Sequence, residues 1–274
     1  MRLNQSGYIS LENGSLHYLK MGEGKRVLLA FHGYANNADL FYPFEKYLES
    51  DFSIISIDLP HHGESKWKDG LLLQKNDLIR IVQWAMSEYK VEKISLIGYS
   101  LGGRVCLTIT ELLPEKIDSV VLIASDGLVF NPLYYFVTKT FIGKKLFRRF
   151  LSKPKVYLDF FKWLNKKNLI NRSKYKFAKY YLGSDADREF LLKVWPDMSL
   201  IVPDRRKLKK RIRQHHIPVF IFMGSYDKII PLPNAYRFKK GLESVQLLTL
   251  EKGHRVFYAA SMPQMADCLI KGKC

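Results

Sequence analysis

The stretch ISLIGYSLGGRVCL, Ile94 to Leu107, sets Ser100 between Gly98 and Gly102, after an apolar run and before a helical one. In that context a G-x-S-x-G run makes a strained strand-to-helix turn, with glycines two residues to either side leaving room for the serine hydroxyl to stand above a sheet edge. A hydroxyl is a weak nucleophile until a base takes its proton, and the base needs an acceptor to hold its tautomer. Asp227 in FIFMGSYDKIIP and His254 in LLTLEKGHRVF each follow a strand-like run. The chain order Ser, Asp, His suits this kind of elbow. Two backbone N–H groups, those of Tyr34 in LLAFHGYANN and of Leu101, are the expected donors to a developing oxyanion. Asp126 in ASDG also ends a strand-like run and is the reserve acid.

Other side chains have quieter readings. His32 is expected to hold its loop by hydrogen bonding rather than act as a second base, and the same expectation covers His61, His62, His215 and His216. His32, Tyr99, Tyr134, Phe160 and Trp163 are candidates for substrate contact. Cys106, Cys268 and Cys274 make an odd count without CxxC or Cys/His spacing. That predicts neither a disulfide framework nor a metal site, and suggests reduced thiols in a cytoplasmic protein. The first residues lack an apolar leader and no run of eighteen apolar residues occurs, so neither export nor a membrane span is expected.

The elements that must position these residues follow from periodicity. YISLENGSLHYLKMG reads as a hairpin about Asn13-Gly14. KRVLLAFHG, FSIISIDLPHHG, EKISLIGYS, DSVVLIAS and IPVFIFMG read as buried parallel strands, and VQLLTLEKGH as the last strand. Helical spacing recurs in NADLFYPFEKYLES, DLIRIVQWAMSEYK, LGGRVCLTITELL, NAYRFKKGL and PQMADCLIKG. The alternation predicts an α/β class fold, a doubly wound and mostly parallel sheet.

Between Gly127 and His216 the texture changes to helical segments rich in Tyr, Phe, Lys and Arg. This block carries 23 Lys+Arg against 6 Asp+Glu, nearly all of the chain's net +18. Residues 127–216 are therefore read as an inserted helical cap on a core of 1–126 and 217–274. Phe136, Phe147, Phe150 and Leu151 share one helical face, expected to pack inward while the basic face is solvated. The charge suits an anionic membrane surface, an acidic carrier protein or an anionic substrate; nucleic acid is disfavoured, because no recognised nucleic-acid module accompanies it.

FHG, DLPHHGES, GYSLGG, GSYDKIIP and GHR together resemble, in kind and order, the α/β-hydrolase superfamily over nearly the whole chain. The resemblance implies the α/β-hydrolase fold, an oxyanion loop at FHG, a structural turn at DLPHHGES, a nucleophile at Ser100, an acid at Asp227 and a base at His254. It also implies a lid in the inserted region and no cofactor. A serine at the elbow argues against the branches of this superfamily that use aspartate there. The activity expected is hydrolysis of a carboxylic ester or thioester through an acyl-enzyme. A carbon–carbon bond hydrolase with the same three residues is the enzymatic alternative. An idle hydrolase fold that binds an acidic partner through the cap is the non-enzymatic one.

Overall fold

The structure, a computed structural model, describes residues 5–167 and 184–274. Strands β1 (Gln5–Leu11) and β2 (Gly14–Met21) form the expected hairpin. Its two turn residues are Glu12 and Asn13, because Gly14 is drawn into β2, where it faces Trp67 across the short strand β5 (Lys66–Trp67). The remaining strands are β3 (Arg26–Phe31), β4 (Phe52–Ile57), β6 (Ile94–Tyr99), β7 (Ile117–Ile123), β8 (Val219–Gly224) and β9 (Val245–Leu250). The sheet order is β1-β2-β4-β3-β6-β7-β8-β9, with β5 on β2. From β4 onward all neighbours are parallel; β1, β2 and β5 add the antiparallel edge.

Burial explains these patterns. Every residue of β4, β6 and β8 is buried, which is why they read as continuous apolar runs, whereas β9 lies at the edge and is mostly half-buried. The chain passes from β3 outward to β4, then returns across β3 to β6. A parallel sheet that reverses direction in this way opens a crevice beyond the carboxyl ends of the two strands at the switch, here β3 and β6. Gly33 and Tyr34 follow β3, and Ser100 follows β6.

Helices α1 (Glu45–Leu48), α2 (Lys75–Tyr89) and α3 (Leu101–Leu112) belong to the larger of two compact units, made of Met1–Lys68, Leu73–Phe130 and Leu200–Cys274. The segment before α1 is a 3-10 helix, Ala38–Phe44, rather than a longer α-helix; Pro43 inside it has no N–H to donate. The smaller unit, Asp69–Leu72 with Asn131–Ser199, holds α4 (Pro132–Lys139), α5 (Phe141–Ser152), α6 (Pro154–Lys166) and α7 (Asp185–Asp197). Its interior is built on Trp195, whose ring stacks on Phe147 at 5.5 Å and meets Tyr134 edge-on. Phe147 and Leu151 are buried, whereas Phe136, expected on the same inward face, is exposed.

The boundaries of this unit differ from the 127–216 read in the sequence, and residues 168–183 of that span lie outside the described residues. The basic helix α8 (Arg205–Gln214) belongs to the larger unit, packed on α3 through Leu208 and Ile212, both wholly buried. Glu111 on α3 fixes it there. Its buried carboxylate accepts the N–H of Asp204 at 2.8 Å and the Lys75 ammonium at 3.1 Å, with Lys207 at 3.6 Å. Asp204 caps α8 by accepting from the N–H groups of Lys207 and Arg206, which hold its carboxyl below the usual range.

The last helices are α9 (Pro233–Lys239) and α10 (Met262–Lys271). The cysteine expectation needs correction here. Gly272 takes a positive φ of 64° and turns the chain back on the end of α10, bringing Cys274 onto Cys268 in a disulfide; Cys106 alone remains a free, buried thiol. Cysteine usage therefore lends no support to a reducing compartment. No helix among the described residues is long and apolar enough to cross a membrane.

Removing the buried Glu111 carboxylate leaves the Asp204 N–H without its acceptor and the partly exposed Lys75 and Lys207 without their partner. Glu111→Ala should cost about 1–2 kcal/mol in urea unfolding, whereas Lys207→Ala, at a half-exposed and longer contact, should cost under about 0.5 kcal/mol.

Candidate active site

Ser100 is the residue between β6 and α3, and its backbone sits at φ 50°, ψ −111°. Such a conformation costs a non-glycine residue on the order of 1–3 kcal/mol and persists only when its surroundings over-determine it. Here they do. The Ser100 N–H donates to the Ile123 carbonyl at 2.9 Å, and its carbonyl accepts from Asp126 and Gly103 N–H at 2.9 and 3.0 Å. A Cβ on Gly102 would fall on the Phe31 carbonyl of β3, and one on Gly98 would strike the Gly102 carbonyl and the Cys106 thiol. Only glycine lets α3 start this close to the sheet.

Asp227 lies three residues beyond β8 and His254 four beyond β9. The structure brings both to Ser100. His254 Nδ1 donates to Asp227 Oδ2 at 2.8 Å, and the Ser100 hydroxyl donates to His254 Nε2 at 3.0 Å, a proton assignment made from the partners. The second Asp227 oxygen accepts the N–H groups of Ile229 and Ile230 at 2.8 and 2.9 Å, so its buried carboxylate is fully engaged. Asp126, the reserve acid, is held elsewhere: Oδ2 lies 3.4 Å from Arg104 Nη1 and Oδ1 accepts the Gly127 N–H at 2.7 Å.

Tyr99, a candidate for substrate contact, lies against both His254 and Phe257. The ring packs against the imidazole with centroids 5.4 Å apart, and its hydroxyl donates to the His254 carbonyl at 3.4 Å. Burial and, second, the nearby Asp227 carboxylate push its phenol up to about 12, so it stays neutral. Leu101 begins α3, and helix geometry gives its N–H no intrahelical acceptor. Tyr34 sits in the turn after β3, where Asn36 N–H donates to the Gly33 carbonyl at 3.2 Å and Ala35 N–H to His62 Nε2 at 3.3 Å.

His32 is corrected as a substrate contact. It is wholly buried, donating from Nδ1 to the Gly33 carbonyl at 2.8 Å and accepting the Leu59 N–H on Nε2 at 3.0 Å. His62 repeats the arrangement with Pro60 and Ala35, and the two rings lie 4.8 Å apart. Burial lowers both, His32 well below its ordinary value and His62 to about 4, so each is a neutral strut beneath the turn at Tyr34. His215 and His216, by contrast, are exposed at the end of α8.

Sequence reasoning did not single out Asp58 or its partner His17. Buried Asp58 accepts from the N–H groups of Ala38 and Glu64 and from His17 Nδ1, tying the start of the 3-10 helix and the loop after β4 to strand β2. The clue available was a carboxylate ending the strand in DLPHHGES. In the smaller unit, Tyr134 is buried and spends its hydroxyl on the Trp195 carbonyl, while Phe160 and Trp163 stack on one another and are about half exposed. Among the described residues no group of three His, Cys, Asp or Glu side chains is arranged to hold a metal ion.

Comparison with known proteins agrees with this architecture. A family model described as alpha/beta hydrolase fold matches residues 26–259, and the chain belongs to that family; it is a hydrolase by class. It is 24% identical over 245 residues to uncharacterized hydrolase YugF of Bacillus subtilis, covering 88% of this chain and 86% of that one. It is 28% identical to the dihydrolipoyllysine-residue acetyltransferase component of the acetoin cleaving system of Pseudomonas putida, of which it spans only 60%. Among solved structures, naproxen esterase from Bacillus subtilis superposes with a TM-score of 0.63 at 18% identity, over 98% of this chain and 90% of that one. A thermophilic esterase from Thermogutta terrifontis gives 0.65 at 15%, over 98% and 97%. At these identities the two structures establish the fold.

The neutral imidazoles make a pH prediction. Folded His62 takes a proton only near pH 4, while the unfolded chain takes one near about 6.5. Between those values the unfolded state binds more protons, so stability falls as pH is lowered, by up to about 1.4 kcal/mol per unit for this histidine. Urea unfolding across that window should show the decline, and His62→Gln should flatten the slope.

Proposed function

We propose that the protein is a serine hydrolase that cleaves a carboxylic ester or thioester through an acyl-enzyme at Ser100. The observation that carries the reading is the unbroken line from Asp227 Oδ2 through His254 to Ser100 Oγ, with contacts of 2.8 and 3.0 Å. His254 Nε2 takes the hydroxyl proton as Oγ bonds to the substrate carbonyl carbon. Asp227, its other oxygen already engaged, holds the Nδ1–H tautomer and stabilises the imidazolium. The carbonyl oxygen becomes an oxyanion held by the N–H groups of Leu101 and Tyr34, each donor contributing about 3 kcal/mol to the transition state. Collapse breaks the bond to the leaving group, an alkoxide or thiolate, which takes the proton from His254. Water then attacks the acyl carbon while His254 removes its proton, and a second collapse frees the acid and reprotonates Ser100.

Tyr99 acts through His254 as a positioning residue, its ring limiting where the imidazole can swing. Likeness to relatives described as esterases supports the ester reading. One of them, "Putative esterase/lipase" of Haemophilus influenzae, is 30% identical over 116 residues. A second reading, hydrolysis of a carbon–carbon bond, is favoured by one relation: 23% identity over 91% of this chain to 2-hydroxy-6-oxononadienedioate/2-hydroxy-6-oxononatrienedioate hydrolase 1 of Pseudomonas putida.

Initial rates on p-nitrophenyl esters of graded acyl length, beside a 2-hydroxy-6-oxo dienoate, separate the two. Ester turnover with an optimum acyl length is expected; turnover of the dienoate alone would reverse the order of the readings. Asp227→Asn should lower kcat about 10⁴-fold on the preferred substrate, through loss of the tautomer. Tyr99→Phe should change kcat less than about tenfold, since the ring that packs on His254 stays.

A further inference from the structure

The smaller unit turns a sharp corner at Thr140, which ends α4 and begins α5. Its hydroxyl accepts the Gly143 N–H at 3.0 Å and donates to the Phe136 carbonyl at 2.9 Å, locking two helices a single residue apart. The corner displays side chains that a core would ordinarily take. Phe141 is 82% exposed, Leu133 and Ile142 are 64% exposed, and Phe136 and Leu146 are exposed with them. One such residue on a surface needs no explanation, but four close to one corner, with Leu133 at the other end of α4, mark a contact surface.

Charge says what kind of surface it meets. Residues 127–158 contain no Asp or Glu, while Lys139, Lys144, Lys145, Arg148 and Arg149 crowd the same two helices. On α5, positions i, i+3, i+4 and i+7 put Ile142, Lys145, Leu146 and Arg149 on one face, with Phe141, Lys144 and Arg148 beside them. Phe141 and Ile142 thus lie at the first turn, and Lys145, Arg148 and Arg149 stand one and two turns behind them, with Leu146 among them. Burial, and then the neighbouring Lys144, lower the Lys139 ammonium from its usual range, as expected where cations gather without a carboxylate.

We propose that this corner docks on an anionic lipid bilayer, with Phe141 and Ile142 entering the acyl boundary and the lysines and arginines meeting the headgroups. An exposed apolar turn backed by cations fits a deformable, negatively charged phase, in which it needs no preformed pocket. A second copy of the chain would set the same cations against each other. An acidic protein would answer the charge but would need a matching apolar cleft. The binding is independent of what Ser100 does, so failure of the esterase reading leaves it untouched.

Sedimentation of the full chain with vesicles tests the proposal, using phosphatidylcholine alone and phosphatidylcholine with about one third phosphatidylglycerol in about 0.1 M NaCl. Partition onto the anionic vesicles should exceed that onto neutral ones at least tenfold. The double variant Phe141→Ser, Ile142→Ser should weaken it about tenfold or more, and so should Lys144→Glu with Lys145→Glu. All four side chains are exposed, and an unchanged Tm establishes that each variant folds before binding is compared. Absence of partition onto anionic vesicles overturns the proposal, as does partition that the double serine variant leaves unchanged. A dimer in light scattering that this variant dissociates would give the corner to a second copy and would also overturn it.

Discussion

The contact between Ser100 Oγ and His254 Nε2 joins two loops that the sheet keeps three strands apart, one following β6 and the other β9. It can form only if the serine leaves its strand upward, and that requires the backbone conformation a serine resists. The strain is distributed into three backbone hydrogen bonds and two glycine contacts, so the turn is set by the fold before any substrate arrives. Asp227 closes the other end of the line by the same means. Two N–H groups of its own loop hold one oxygen and leave the second to the imidazole.

Beneath the loop after β3 the structure uses histidine differently. His32 and His62 are buried, neutral and bonded on both ring nitrogens, which makes them rigid spacers between backbone segments. His254 is only partly buried and faces a hydroxyl. One residue type thus serves as scaffold or as a candidate base according to how many of its nitrogens the backbone occupies.

Much of this was legible in the sequence because it is local. Gly98 and Gly102 announce a turn that a Cβ would block, and the fully buried β4, β6 and β8 read as unbroken apolar runs. What could not be read depends on tertiary partners. The role of Glu111 in seating α8 needs Asp204 and Lys75 to arrive from distant positions, and without it α8 looked like part of an insertion. The Cys268–Cys274 bridge turns on a reversal at Gly272 that spacing alone does not signal. Phe136, assigned inward by periodicity, faces out because Thr140 separates α4 from α5, so it does not share a helix with Phe147 and Leu151.

The central claim is that the line from Asp227 to Ser100 makes a nucleophile of one particular hydroxyl. The most direct measurement is labelling of the folded chain with a fluorophosphonate, followed by mass spectrometry of its peptides. The account predicts a single adduct on the peptide that carries Ser100 and none in Ser100→Ala. An adduct of equal yield in that variant, or none in the native chain, would contradict it.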